Sequence, residues 1–172
     1  MSSESPTLYT IGHSHAPLER LLTLLRQNGV EVVVDARSRP YSRFAPQYNR
    51  DRLAAGLQAA GIAYEYRGGA LGGKPSDPSL YHGGVLPAKG ADLLQALDYA
   101  KVAARPDYRQ AIEWLLAEAA KRRLCVLCAE EDPARCHRHH LIAQSLLARG
   151  ARVLHIRHDG RVEEARREPG DA

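Results

Sequence analysis

No apolar run in this chain comes near the ~20 residues that span a bilayer, so no membrane partner is expected. The opening residues Met1-Ser2-Ser3-Glu4-Ser5-Pro6 offer neither a basic stretch nor an apolar segment, so no secretory leader is expected there. There is no internal repeat and no low-complexity linker, which excludes a solenoid and a long tether. Cysteine is scarce. Cys125, Cys128 and Cys136 are odd in number and clustered, which argues against a disulfide framework and for the reducing cytoplasm. Standard zinc spacings are also missing. Cys136 and His137 are adjacent, and Cys125-Val126-Leu127-Cys128 reads as a strand that points its two thiols to opposite faces. No metal and no cofactor is expected.

What is present fits one domain with a real core: 172 residues, 44% hydrophobic and 26% charged. The net charge of +4 is mild, but its distribution is not. Between residues 35 and 52 lie five arginines (Arg37, Arg39, Arg43, Arg50, Arg52) against two acids, with Tyr41, Phe44 and Tyr48 interleaved. Arginine beside aromatic side chains suits phosphate contact with base stacking. A solvated loop whose tyrosines cover a core edge would show the same pattern.

Strand-like and helix-like segments alternate. Residues 7–11 read as a strand, 17–27 as an amphipathic helix stopped by Asn28-Gly29, and 31–34 as a buried strand ending at Asp35. A helix over 50–60 and a strand over 62–66 follow. Residues 67–90 form a long loop rich in glycine and proline, the kind that is functional or mobile. Helices are expected at 92–103 and 107–120, a strand at 124–127, a helix at 133–148 capped by Asp132-Pro133, and a strand at 152–156. This predicts a single three-layer α/β domain over 7–158, with a mostly parallel sheet of about five strands and helices on both faces. Residues 1–6 are expected to be disordered, and 159–172 to form a charged C-terminal tail.

Ligands of such sheets bind beyond the carboxyl ends of the strands, and there the reactive groups collect. Strand one delivers His13 and Ser14, strand two Asp35 and Arg37, and strand four Cys128 and Glu130. Asp35, paired with Arg37, is placed to act as a general base or to stabilise a cationic transition state. A structural ion pair pinning the next loop is the plain alternative. Cys128 precedes a helix N-terminus, but Glu130, Glu131 and Asp132 oppose a thiolate there. Packing is therefore its expected role, and Glu130 is the stronger candidate for chemistry. His137 and Arg138 are expected to hydrogen-bond a phosphate or carboxylate, with His139 and His140 on the surface.

These residues carry a family resemblance. Thr10-Ile11-Gly12-His13-Ser14, Val34-Asp35-Ala36-Arg37-Ser38-Arg39-Pro40, Ser42-Arg43-Phe44-Ala45-Pro46, Leu71-Gly72-Gly73 and the run from Cys128 to Arg138 together resemble the DUF488 family, across nearly all of 9–156. The resemblance implies repair of alkylated DNA by a glycosylase that releases N3-methylcytosine or similar N3-methylated pyrimidines, with damaged DNA, single strands included, as partner. In that reading Asp35 is the base or electrostatic stabiliser, and Glu130 faces the cationic base. Tyr41, Phe44 and Tyr48 stack or wedge. Arg37, Arg39, Arg43, Lys74 and Arg138 hold phosphates, and His13, Ser14, Cys128 and His137 complete the pocket. The residues also admit two other readings: a phosphohydrolase or thiol enzyme acting on a small nucleotide-like ligand through Cys128, or a non-catalytic nucleic-acid-binding module.

Overall fold

The computed structural model describes residues 5–169. Six strands form one sheet in the order β3-β2-β4-β1-β5-β6: β1 Thr7–Gly12, β2 Val32–Asp35, β3 Ala63–Tyr66, β4 Leu124–Cys128, β5 Arg152–Ile156 and β6 Val162–Glu164. The first five run parallel, as predicted for alternating strands and helices. Alternation along the strands splits the core in two. Leu8, Val32, Val34, Leu124 and Val126 face one side, against the short α3 (Gly68–Leu71), α5 (Tyr99–Ala103), α6 (Pro106–Ala119) and the final helix. Ile11, Val33, Cys125 and Leu127 face the other, against α1 (Leu18–Gln27) and α2 (Arg50–Ala59). Cys125 and Cys128 therefore sit in opposite cores. Among the described residues no helix is long and apolar enough to cross a membrane.

β1 and β4 are neighbours, yet the chain leaves β1 towards β2 and leaves β4 towards β5, on opposite sides. A reversal of this kind opens a crevice at the strand ends. Here the crevice is bridged by the loop leaving β4. His13 N–H donates to Cys128 O at 2.9 Å and Ser14 N–H to Ala129 O at 2.7 Å. Only glycine fits at position 12, because a Cβ there would lie 1.6 Å from Glu130 O.

Three expectations are corrected. Residues 159–169, expected as a charged tail, are part of the domain. β6 pairs antiparallel with β5, Ala165 is buried, and Gln144 holds Arg166 O and Glu168 N. Its charges belong to an edge strand, where they block further pairing. The helix expected over 92–103 breaks at Leu97–Asp98 into α4 (Leu93–Ala96) and α5, because Asp98 accepts from Lys101 N–H and caps the second piece. The helix expected over 133–148 breaks at Cys136. Asp132 caps only a 3₁₀ turn, Pro133–Arg135. A π-helical segment, Arg138–Ala143, then runs directly into α7 (Gln144–Ala148).

Candidate functional site

The carboxyl ends of β2 and β3 carry a buried polar cluster. Asp35 is fully buried and both its oxygens are engaged. Oδ1 accepts from Arg37 N–H (3.1 Å) and Nε–H (2.9 Å), and Oδ2 accepts from Arg37 Nη2–H (2.8 Å) and Tyr64 O–H (2.6 Å). Arg37 Nη1 donates to His13 Nε2 at 3.2 Å, and His13 Nδ1 donates to Ser14 O at 2.8 Å. Burial, with the Arg37 charge beside it, drops His13 to about 4. The ring is therefore neutral at pH 7, as a single lone pair facing arginine requires.

This geometry corrects several assignments. Asp35 has no oxygen free for water or substrate; it fixes Arg37 instead. His13 is buried behind Arg37, and its ring stacks on Tyr48 at 4.4 Å. Tyr48 is a core residue whose hydroxyl donates to Ala16 O at 2.7 Å, so it cannot stack on a base. Ser14 lies in the turn beyond β1 with φ +45° and stays out of the cavity described below. Arg138 is fully buried. Its Nε donates to Thr10 Oγ1 (3.0 Å), its Nη2 to Glu131 O (2.8 Å) and its Nη1 to Glu130 O. It braces the loop leaving β4 and is out of reach of any phosphate.

A cavity of about 1090 Å³ opens beside this cluster. That exceeds the roughly 300–1,000 Å³ of small-ligand pockets and has room for a nucleotide. Its walls are Arg37–Arg39 and Tyr41, the turn at Gly73–Ser76, the stretch 86–94, and the exits of β4 and the 3₁₀ turn. Of the residues picked out from sequence, Arg37, Arg39, Tyr41, Lys74, Cys128, Glu130 and His137 line it; Asp35, His13, Ser14, Tyr48 and Arg138 do not. Arg43 and Phe44 are exposed on the adjoining loop, outside the lining.

Among the described residues, the side chains of Arg39, Lys74, Lys89 and Arg135 make no hydrogen bond or ion pair, and neither does the Glu130 carboxylate. Tyr99 Oη is buried against the cavity without a hydrogen-bond partner. The loop bearing Tyr41 and Phe44 is held from below: Ser42 Oγ accepts from Phe44 N–H at 3.1 Å, and Asn49 Oδ1 accepts from Ser42 N–H at 2.7 Å. Its aromatic tips point outward, Tyr41 62% and Phe44 82% exposed. Lys89, Tyr99 and Arg135 escaped sequence reasoning because they come from a loop and helices with no chemical motif of their own.

At the cavity floor Cys128, Cys136 and His137 bring donor atoms within 4.8 Å of one another. Cys136 Sγ accepts from Arg138 N–H at 3.4 Å, and His137 sits between the two thiols, Nδ1 3.8 Å from Cys136 and Nε2 3.8 Å from Cys128. The Cys128 thiol and the His137 ring hold Cys136 well below the usual thiol range, whereas burial pushes Cys128 well above it. Cys128 is thus the protonated member of the pair. A bulky residue at position 73 would collide with His137, since a Cβ there lies 2.8 Å from its ring.

Beyond Arg138 a second polar chain reaches the surface. Thr10 Oγ1 meets His155 Nδ1 at 2.5 Å, His155 Nε2 meets His139 Nδ1 at 3.0 Å, and His139 Nε2 meets Glu168 at 2.5 Å. His139 is therefore a member of this chain and not a free surface residue. Burial, then the Arg138 cation, lowers His155 from 6.5 to about 3. The unfolded chain binds a proton there below pH 6.5 and the folded chain does not until about 3, so stability falls on acidification across that window. His155→Gln should reduce the pH slope of unfolding free energy between pH 6 and 4 by up to about one proton. Denaturant unfolding at several pH values checks this, and an unchanged slope would refute it.

A family model described as a domain of unknown function, DUF488, matches residues 17–145. A search of curated proteins finds no match, and a search of solved structures finds none either. The matched span runs from the start of α1 into α7 and contains the walls of the cavity, so the chain belongs to the DUF488 family.

Proposed function

We propose that the chain is a DNA glycosylase that hydrolyses the N-glycosidic bond of alkylated bases carrying positive charge, such as N3-methylcytosine. One observation carries the reading: a single unpaired carboxylate, Glu130, stands among four unpaired cations in a cavity large enough for a nucleotide. Cations without protein partners suit the phosphates of a strand. A carboxylate in the same cavity suits a cationic base and the oxocarbenium-like sugar left as that base departs. The target nucleotide must be flipped out of the stack to reach it. Exposed Tyr41 and Phe44 beside the opening suit stacking or filling the gap. The Tyr99 hydroxyl offers a donor to the base.

In the reaction the C1′–N bond breaks and its electrons neutralise the alkylated base. Water adds to C1′, and its proton passes to Glu130. A base already cationic needs no protonation to leave, so one carboxylate suffices. Asp35 takes a positioning role by holding Arg37 against the cavity.

The test is a panel of oligonucleotides, each with one defined alkylated base, scored for abasic sites by alkaline strand cleavage. Cleavage at N3-methylcytosine and none in the unmodified strand is the expected result. No cleavage of any substrate would overturn the reading. DNA binding supplies a second measure: Arg39→Ala with Lys74→Ala should weaken binding to all sequences and flatten the salt slope by about one per lost contact. An unchanged slope would remove these cations from the DNA interface.

A further inference from the structure

The thiol pair is left unused by glycosyl hydrolysis, and its geometry is not that of two packed cysteines. Cys136 takes extended backbone angles (φ −132°, ψ 142°) and closes the 3₁₀ turn, directly before the helical backbone begins at His137. Its carbonyl accepts from His139 N–H at 3.1 Å and His140 N–H at 3.3 Å, while its sulfur accepts from Arg138 N–H at 3.4 Å. His137 Nδ1 stands at 3.8 Å from the same sulfur, and the Cys128 sulfur lies within 4.8 Å of it. A backbone N–H, an imidazole and a second thiol thus gather around one sulfur atom. Close by is the fully buried Arg138 guanidinium, whose hydrogen-bond acceptors are a hydroxyl and two carbonyls and include no carboxylate. A buried cation calls for a counter-charge, and the Cys136 sulfur, which accepts from the Arg138 N–H, is placed to supply one as a thiolate.

A metal would account for the cluster less well. A metal-bound histidine turns one nitrogen to the ion and gives the other to a carboxylate, carbonyl or water. Both His137 nitrogens face sulfur instead. That arrangement suits passing a proton between the two thiols.

We propose that Cys136 and Cys128 form a peroxide-reactive dithiol at the cavity floor, Cys136 attacking and Cys128 resolving. The Cys136 thiolate attacks one oxygen of a hydroperoxide and the O–O bond breaks. The leaving alkoxide or hydroxide takes a proton and departs as alcohol or water, leaving Cys136 as a sulfenic acid. Cys128 then loses its proton and attacks the Cys136 sulfur. The S–O bond breaks, the hydroxide leaves as water, and a Cys128–Cys136 disulfide remains. Both sulfurs line the cavity yet are almost buried, so a small oxidant reaches them and a large electrophile does not. Cys125, buried in the opposite core, is an internal reference that should not react.

The experiment needs no glycosylase activity, so it stands or falls apart from the reading above. Reduced wild-type protein is exposed to hydrogen peroxide, and free thiols are counted after denaturation. Two of the three thiols should be lost and then return with dithiothreitol. Tryptic mapping should join peptide 124–135 to peptide 136–138. Cys128→Ser should stop at a sulfenic acid on Cys136 that dimedone traps when present as the protein is unfolded, and His137→Asn should slow oxidation by about tenfold. Three intact thiols after peroxide treatment of the wild type would overturn the proposal. So would chelator-removable zinc, at one equivalent, in the purified protein. Rapid oxidation of Cys128 in Cys136→Ser would overturn the assigned order of attack.

Discussion

Glu130→Gln should lower the rate of base release by roughly 10²–10⁴-fold, the loss typical of a missing general base, while leaving the protein folded. The substitution keeps the size of the side chain and its reach into the cavity and removes only the charge. Stability should change little, since the carboxylate has no partner among the described residues and position 130 is exposed. The bracing by Arg138 uses the backbone carbonyl of residue 130, which the substitution keeps. DNA affinity should hold or rise, because a negative charge among phosphate-binding cations has gone. Single-turnover cleavage and a binding titration on one substrate separate these effects. Wild-type turnover in Glu130→Gln would show that the carboxylate does no chemistry, whatever the substrate.

The edge of the sheet that carries the site was legible from sequence, because it depends on short-range pattern. The β-branched run Val32-Val33-Val34 ending at Asp35, and the apolar run ending at Cys128, fix which ends of the strands bear charge. What each group does at that edge depends on contacts distant in sequence. Asp35 reads from sequence as a general base paired with Arg37, yet its second oxygen is also taken by Tyr64, 29 positions away on β3. Arg138 looked like a phosphate ligand, yet its partners include Thr10, 128 positions away on β1. A buried guanidinium and an exposed one share the same local sequence signature.

The break at Cys136 was hidden for a different reason. Asp132-Pro133 is a sound cap signal and is used as one, but for a single turn. The longer helix starts after Cys136 from His137, which bonds no backbone N–H as a cap, so no capping signal marks its start. The far wall of the cavity was hidden because a helical pattern over 92–103 runs through Leu97-Asp98. There the chain breaks, and Leu97 bridges to Tyr81.

Asp35→Asn tests the division of labour between the two carboxylates. An asparagine keeps one acceptor oxygen for Arg37 N–H and Nε–H. In place of the second oxygen it sets an amide NH₂, which faces Arg37 Nη2–H and the Tyr64 hydroxyl. Tyr64 can turn its hydroxyl to accept, but the guanidinium cannot, so a buried cation is left without its counter-charge. The expected loss is about 3–5 kcal/mol in unfolding free energy, the usual cost of stripping one partner from a buried ion pair. Asp35→Asn with Arg37→Met removes both charges and should recover a good part of that stability. It should not recover DNA affinity, because Arg37 no longer faces the cavity. If Asp35 only positions Arg37, the stable double variant keeps base release within about tenfold of wild type at saturating DNA, an allowance of ~1.4 kcal/mol, and the damage falls on binding. If release collapses there as far as in Glu130→Gln, Asp35 acts in the chemical step and Glu130 is not the sole catalytic carboxylate.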